Sequence, residues 1–296
     1  MNQKQTQKII KAGEIAKQVK VYAKEIIKKD VPLLEIAEKI ENKIHELGGE
    51  IAFPVNLSIN EIAAHYTPSH DDETKANGLL KVDIGVHIDG YIADTAFSLD
   101  LENSEENKKL IQASKDALEN VEKVINTNLT LSEVGKIIED TIESQGFNPI
   151  VNLSGHLMEQ YDLHAGVSIP NIDNKSDFEL GEGLFAIEPF ATPGSGKVKD
   201  GRLSGIYQLQ NPKNTRSEIA RDVLDYIAEN YNTLPFCSRW LIKEFGTKAL
   251  LGLRQLEQEN ILHHFPQLVE ISKAKVSQAE NTFLIQKDKV TITTKD

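Results

Sequence analysis

Two stretches of this chain nearly repeat each other, and a repeat constrains architecture more tightly than any single motif. Leu33-Leu-Glu-Ile-Ala-Glu-Lys-Ile-Glu-Asn-Lys-Ile44 matches Leu131-Ser-Glu-Val-Gly-Lys-Ile-Ile-Glu-Asp-Thr-Ile142. Each copy runs on to a glycine and then gives Val-Asn-Leu-Ser, at 55–58 and again at 151–154. Each then reaches a histidine followed by a proline, His65 before Pro68 and His164 before Pro170. A further helical pattern precedes each copy. Ile9, Ala12, Ala16, Val19, Ala23 and Ile26 or Ile27 mark one helix over 3–29, and 104–124 marks the other, with Asn103 or Ser104 as N-cap. Strands are expected at 50–59 and 147–153. Two helix–helix–strand units imply a pseudo-two-fold α/β (α+β) domain with a cleft on the pseudo-axis.

Between the copies lies Lys81-Val-Asp-Ile-Gly-Val-His-Ile-Asp-Gly-Tyr-Ile-Ala-Asp-Thr-Ala-Phe-Ser-Leu99. Asp89-Gly90 is the dipeptide that best accepts the positive φ angles of a two-residue hairpin loop. With those two residues in the loop, Ile88 pairs with Tyr91, Gly85 with Asp94 and Asp83 with Ala96. Asp83 and Asp94 then share one face as diagonal neighbours, roughly 7–8 Å apart at the backbone. Two carboxylates among Val, Ile, Ala and Phe need something positive between them, and Gly85 beneath Asp94 leaves room for a divalent ion. Taken alone, the pair favours two aspartates facing water on a half-exposed hairpin, and further ligands are needed to reverse that.

The formal net charge of −12 argues against a general nucleic-acid or anionic-membrane surface. The first residues lack the apolar core of a secretory signal, and no stretch is long and apolar enough to span a membrane. The single cysteine, Cys237, excludes an internal disulfide and a cysteine-based zinc cage, and its apolar context suits packing. A cytoplasmic protein is expected.

Beyond 181 the chain feeds a buried strand ending at Glu188, then turns rich in Gly, Pro, Ser and Lys from Thr192 to Asp200. Gly194-Ser-Gly-Lys197 lacks P-loop spacing and reads as a flexible lead-in to an insertion. Helices are expected at 217–230, 238–245 and 247–258, and the block closes near Pro266 in winged-helix style. His263 and His264 are placed on a helix, pointing apart. Strands at 282–286 and 290–294, joined by Lys287-Asp-Lys289, complete the chain. The expected division is a catalytic domain of 1–191 and 267–296, interrupted by a helical, winged-helix-like insertion at 192–266.

Three further residues are metal-ligand types in unlikely places. His156 stands at a strand end in Ser-Gly-His, Glu188 sits inside Leu-Phe-Ala-Ile-Glu-Pro-Phe, and Glu280 opens the last hairpin. Singly, each has a structural reading: a satisfied core histidine, a partner for a buried arginine or backbone amides, a solvent-facing strand end. Together with Asp83 and Asp94 they form an oxygen-rich set with one imidazole, which suits a pair of divalent ions better than a structural zinc.

Asp83-Ile-Gly-Val-His-Ile-Asp-Gly-Tyr-Ile-Ala-Asp-Thr-Ala96, Ala63-Ala-His-Tyr-Thr-Pro68, Ser-Gly-His156, Leu163-His-Ala-Gly, Phe185-Ala-Ile-Glu-Pro-Phe-Ala and Glu280 together resemble the methionine aminopeptidases. The likeness covers essentially the whole chain. It is to the type II short form, which the helical insertion after Glu188 separates from type I. It implies the pseudo-two-fold pita-bread fold and removal of the initiator methionine from nascent chains by a hydroxide bridging two divalent metals (Co, Mn, Fe or Zn). It implies that Asp83 binds one ion through both oxygens, Asp94 and Glu280 bridge, and His156 and Glu188 complete the second. Glu188 would also be the general base. His65 and His164 would contact the scissile amide without binding metal, and Phe53, Leu163 and Phe265 would line the methionine pocket. Asn281 stands beside Glu280 where many relatives are expected to carry histidine, flanking the metals and tuning their affinity.

The partners implied are nascent polypeptide N-termini and the ribosome, and the chain is expected to be a monomer. Two other readings stay open: an X-Pro dipeptidase of the same fold, and a non-catalytic RNA- or ribosome-binding relative. Intact residues at all five ligand positions count against the second.

Overall fold

The computed structural model describes residues 1–287 and 289–295. Helix α1 (Gln3–Ile26) starts in a reciprocal cap between Asn2 and Gln5 and buries Ile9, Ala12, Ala16, Val19 and Ala23. It ends before Lys29, because Ile27 is already extended at φ −74° and ψ 115°. Helix α2 (Leu33–Glu46) buries Leu33, Ile36, Ala37, Ile40 and Ile44 and stops at Gly48, where φ is +79°. Both helices cover a three-stranded antiparallel sheet made of β1 (Glu50–Ile59), β3 (Leu79–Ile88) and β4 (Tyr91–Asp100), in that order. The short β2 (Ile62–Ala64) leaves this sheet. The β3–β4 register is the expected one, with Ile88 opposite Tyr91, Gly85 opposite Asp94 and Asp83 opposite Ala96. Asp89 and Gly90 carry the positive φ values, 49° and 79°, that a two-residue turn demands.

The plan then repeats. Ser104 caps α3 (Glu105–Glu122), and Thr130 with Glu133 caps α4 (Leu131–Ser144) in a reciprocal box. The strand expected over 147–153 is broken. Only β5 (Asn148–Pro149) forms there, followed by a turn and then β6 (Ser154–Met158). The break has a cause. Val151 donates its N–H to Gly196 O, and the Asn152 amide exchanges two hydrogen bonds with the Val198 backbone, so this segment belongs to the start of the insertion. Strands β7 (Ser168–Pro170), β8 (Gly183–Ile187) and β9 (Phe190–Thr192) follow.

The insertion opens with β10 (Val198–Leu209), a twelve-residue strand, and continues through α5 (Glu218–Asn230), β11 (Phe236–Cys237), α6 (Ser238–Phe245) and α7 (Ala249–Gln258). It returns along β12 (Leu262–Glu270), giving a sheet in the order β11–β10–β12–β2. Its helices close over their own apolar core of Val223, Ile227, Phe236, Leu241, Leu253 and Leu256. Pro266 lies inside β12, paired with Leu203. His263 and His264 therefore sit on a strand rather than a helix, and His264 stacks on Tyr207 at 3.9 Å between ring centres. Cys237 is buried as packing.

The Gly194–Lys197 lead-in is fixed rather than flexible. The buried carboxylate of Glu270 accepts from Ser195 N–H at 2.7 Å, from the Ser195 and Ser272 hydroxyls, and from Ala274 N–H at 3.1 Å. Strands β13 (Ser277–Gln278), β14 (Asn281–Gln286) and β15 (Lys289–Ile292) complete the chain. Of the expected Lys-Asp-Lys turn, Asp288 lies outside the described residues.

The second copy of the β1–β3–β4 sheet is β6–β8–β14, with α3 and α4 packed on it. The two copies meet where β4 faces β14. The Thr282 hydroxyl accepts from Asp94 N–H and donates to Asp94 O, both at 2.7 Å, while Glu280 N–H donates to Ala96 O at 3.0 Å. That seam is the pseudo-axis. No helix among the described residues is long and apolar enough to cross a membrane.

Candidate metal centre

The seam gathers the ligand-type residues in one place. Asp83 and Asp94 come from the first copy, on β3 and β4. His156 comes from the middle of β6, not its end, paired with Ser168 and Ala186. Glu188 is the first residue past β8, and Glu280 immediately precedes β14. All five line a single cavity of about 300 Å³, together with His65, His164, Phe53, Leu163 and Phe265. Asp94, His156 and Glu280 each offer one ligand atom, all within 4.8 Å of one another. His156 Nε2 lies 3.7 Å from Asp94 Oδ2 and 3.8 Å from Glu188 Oε1.

The space beneath Asp94 has a different occupant from the one expected. A Cβ on Gly85 would stand 2.3 Å from the Phe53 ring, so the glycine admits an aromatic side chain rather than an ion. Phe53 faces Gly85 across β1–β3, between two register shifts in β1. These bulges turn the ring toward the carboxylates and give the cavity an apolar wall.

Electrostatics at the cluster are unfavourable for ionised side chains alone. Burial pushes the Asp83 carboxyl up to about 7. Burial and then repulsion from neighbouring carboxylates push Asp94, Glu188 and Glu280 well above the usual range. Burial pushes His156 well down, so its imidazole is neutral and able to ligate. Asp83 Oδ1, Asp94 Oδ1, Glu280 Oε2 and His156 Nδ1 are buried without a hydrogen-bond partner among the described residues. Buried carboxylate oxygens in native proteins are paired or bound to cations. This donor set, hard oxygens with one imidazole, therefore fits divalent metal.

The cavity's two other histidines, His65 and His164, approach from opposite copies. His65 follows β2 in a left-handed conformation, φ +62°, and its Nδ1 lies 3.1 Å from Pro266 O. A carbonyl only accepts, so Nδ1 carries the proton and Nε2 keeps the lone pair. Burial lowers this imidazole to about 4, which holds it neutral. The His164 ring stands edge-on to His156 at 4.4 Å between centres.

Several neighbours of the cluster and cavity escape sequence reasoning. Gln278 donates to Glu188 Oε2 at 3.1 Å, and no local pattern marks it. Ile206 and Pro235 reach the cavity from the insertion. Asn56 and Asn152 also line it, and their place in the repeated Val-Asn-Leu-Ser was an available signal. Asn281, expected beside the metals, turns the other way. Its amide donates to Glu122 Oε1 at 2.8 Å and accepts from the Thr294 hydroxyl at 2.9 Å, tying β14 to α3.

Known proteins share both sequence and shape with this chain. Residues 7–285 match the model of metallopeptidase family M24. The methionine aminopeptidase of Methanocaldococcus jannaschii is 49% identical over 292 residues, covering 98% of this chain and 98% of that protein. Among solved structures, a thermophilic Arx1 superposes with a TM-score of 0.84 at 17% identity, over 99% of this chain and 91% of that one. Methionine aminopeptidase from Thermotoga maritima gives 0.72 at 20% identity, over 100% and 98%. At such identities these two likenesses speak to the pita-bread fold alone, whereas the family match and the close relative speak to lineage. The chain belongs to metallopeptidase family M24 and, within it, to the methionine aminopeptidases.

Proposed function

We propose that the cavity holds two divalent ions and removes the initiator methionine from nascent polypeptide N-termini in the cytoplasm. The observation that carries this reading is the convergence, at the seam, of His156 Nε2 with buried carboxylates on Asp83, Asp94 and Glu280 that each keep an oxygen without a hydrogen-bond partner among the described residues. Asp83, Asp94, His156, Glu188 and Glu280 would hold the ions between them. Bound there, divalent ions would neutralise the four carboxylates and supply Lewis acidity, and Co, Mn, Fe or Zn each suit the donors.

The protein's own groups supply the rest. Glu188, steadied by Gln278, takes the proton of the attacking water and returns it to the departing nitrogen. His65 presents Nε2 as an acceptor for the scissile N–H, because Pro266 O occupies Nδ1. His164 donates to the developing oxyanion. Phe53, Leu163 and Phe265 form the apolar wall that receives an unbranched thioether side chain. The net charge of −12 supports a protein substrate over general nucleic-acid binding. We read the chain as a monomer that meets its substrates at the ribosome. Residues 192–266 act as an insertion into a catalytic domain of 1–191 and 267–296. The insertion's separate core supports this division, while β12 ties it to the body.

The test is release of methionine from Met-Ala-Ser against hydrolysis of Ala-Pro, after chelated protein is resupplied with metal. Met release restored by metal is expected. Cleavage of Ala-Pro without Met release, or full activity in Asp94→Ala, would overturn the reading.

A further inference from the structure

Arg239 is 1% exposed, the most deeply buried cation of the insertion, and the partners of its guanidinium lie 171 to 198 positions away in sequence. From α6 its two terminal nitrogens grip Glu41 of α2 at 2.7 and 2.8 Å, and Trp240 Nε1 donates to the same carboxylate at 3.0 Å. Its Nε donates to Pro68 O at 3.1 Å, and Nη2 stands 3.5 Å from the Thr67 hydroxyl. Residues 65–68 are the loop that carries His65.

That loop needs holding. His65 adopts a left-handed conformation uncommon for a residue with a side chain, and such conformations persist only where their surroundings fix them. Three attachments fix this one. Leu57 N–H donates to Tyr66 O at 2.7 Å from β1, His65 itself meets Pro266 O of β12, and the guanidinium holds the far end. Two of the three come from the insertion. Stability alone gives a buried ion pair little reason to exist, since apolar residues of similar volume usually serve as well or better. A planar fork that binds a carboxylate with one edge and a backbone carbonyl with another does something apolar packing cannot do: it sets a direction.

We infer that Arg239, clamped by Glu41, is a positioning residue for His65, through which the insertion aligns the catalytic histidine. The inference rests on the proposed role of His65 in Met release. Displacement of a reacting group by about 1 Å lowers turnover by about 100-fold, so loss of the clamp should lower kcat without disturbing the metal or the methionine pocket.

The experiment is a cycle on metal-loaded full-length protein. Glu41→Met/Arg239→Met removes both charges and leaves neither stranded, and it is measured alone and combined with His65→Ala. The expected result is a kcat for Met-Ala-Ser lowered about 10–100-fold, with KM and bound metal within about twofold of wild type and no further loss in the His65→Ala background. Equal losses in both backgrounds, unchanged kcat, or loss of metal overturns the inference. If the double variant does not fold, Arg239→Lys keeps the charge opposite Glu41, gives up the second donor edge and is read by the same criteria. Wild-type protein that fails to release methionine refutes the proposed function instead. Wild type active, His65→Ala impaired and the clamp variant fully active refutes only the clamp.

Discussion

Removing metal should make this protein's stability respond to pH in an unusual direction. A carboxyl whose pKa in the fold lies above its unfolded value keeps its proton after the unfolded chain has lost it. Ionisation therefore destabilises the fold, and stability falls as pH rises. Asp83 moves from 3.8 to about 7. At about 1.4 kcal/mol per unit this is about 4 kcal/mol, a large share of the roughly 5–15 kcal/mol that holds a typical domain together. The contribution is whole below about pH 4 and gone above the folded value, and Asp94, Glu188 and Glu280 are moved in the same direction. His65 and His87 act oppositely: burial lowers both to about 4, so they favour the fold as pH rises toward 6.5. Both imidazoles are largely neutral in the fold above pH 5, so from pH 5 to 8 the difference between loaded and chelated protein reports chiefly the carboxylates. Between pH 5 and 8 Asp83 alone should widen that difference by about 3 kcal/mol, roughly 6–12 °C in Tm. Calorimetry of manganese-loaded and EDTA-treated samples at four pH values measures it. A gap that stays constant from pH 5 to 8, or narrows, refutes the claim that metal displaces protons from these side chains.

Gly85→Ala drives a methyl into the Phe53 ring and should destabilise the protein by about 1–3 kcal/mol in urea titration, with a raised KM for Met-Ala-Ser as the ring is forced into the cavity. Gln278→Ala removes the donor to Glu188 and should weaken metal binding by about 10–100-fold, with activity recovered at excess metal. Burial pushes the Cys237 thiol up to about 12, so the native protein should resist a thiol reagent at pH 8 that labels the urea-unfolded chain at once.

What the sequence made legible follows from how locally each feature is determined. A two-residue turn dictates the β3–β4 register without help from elsewhere, so Asp83 and Asp94 could be placed on one face beforehand. Apolar spacing and cap residues located α1 to α4 within three residues. The errors arose where partners are distant. Asn152 bonds to Val198 and ends a strand that composition favours. Glu270 lies 75 positions from Ser195 yet immobilises a loop whose glycines suggested freedom. His263 and His264 follow a helix in sequence, which favours placing them on it, yet β10 recruits them into a ladder. Phe53 fills the space beneath Asp94 through bulges in β1 whose local sign, Pro54, does not tell which way the ring turns.

The division of ligands across the seam bears on the order in which the molecule is built. Helices α1 and α2 and strands β1, β3 and β4 are consecutive in the chain up to Asp100, so the first copy can close through short-range pairings. The second copy cannot, because β8 must wait for β14 until the whole insertion has been synthesised between them. Closing long loops is slow relative to local pairing. A nascent chain therefore carries Asp83, Asp94, His156 and Glu188 before Glu280 arrives, and the cluster closes only when β14 pairs with β8. On the proposed function, the metal centre is therefore complete only once β14 has docked, after the whole insertion has been made.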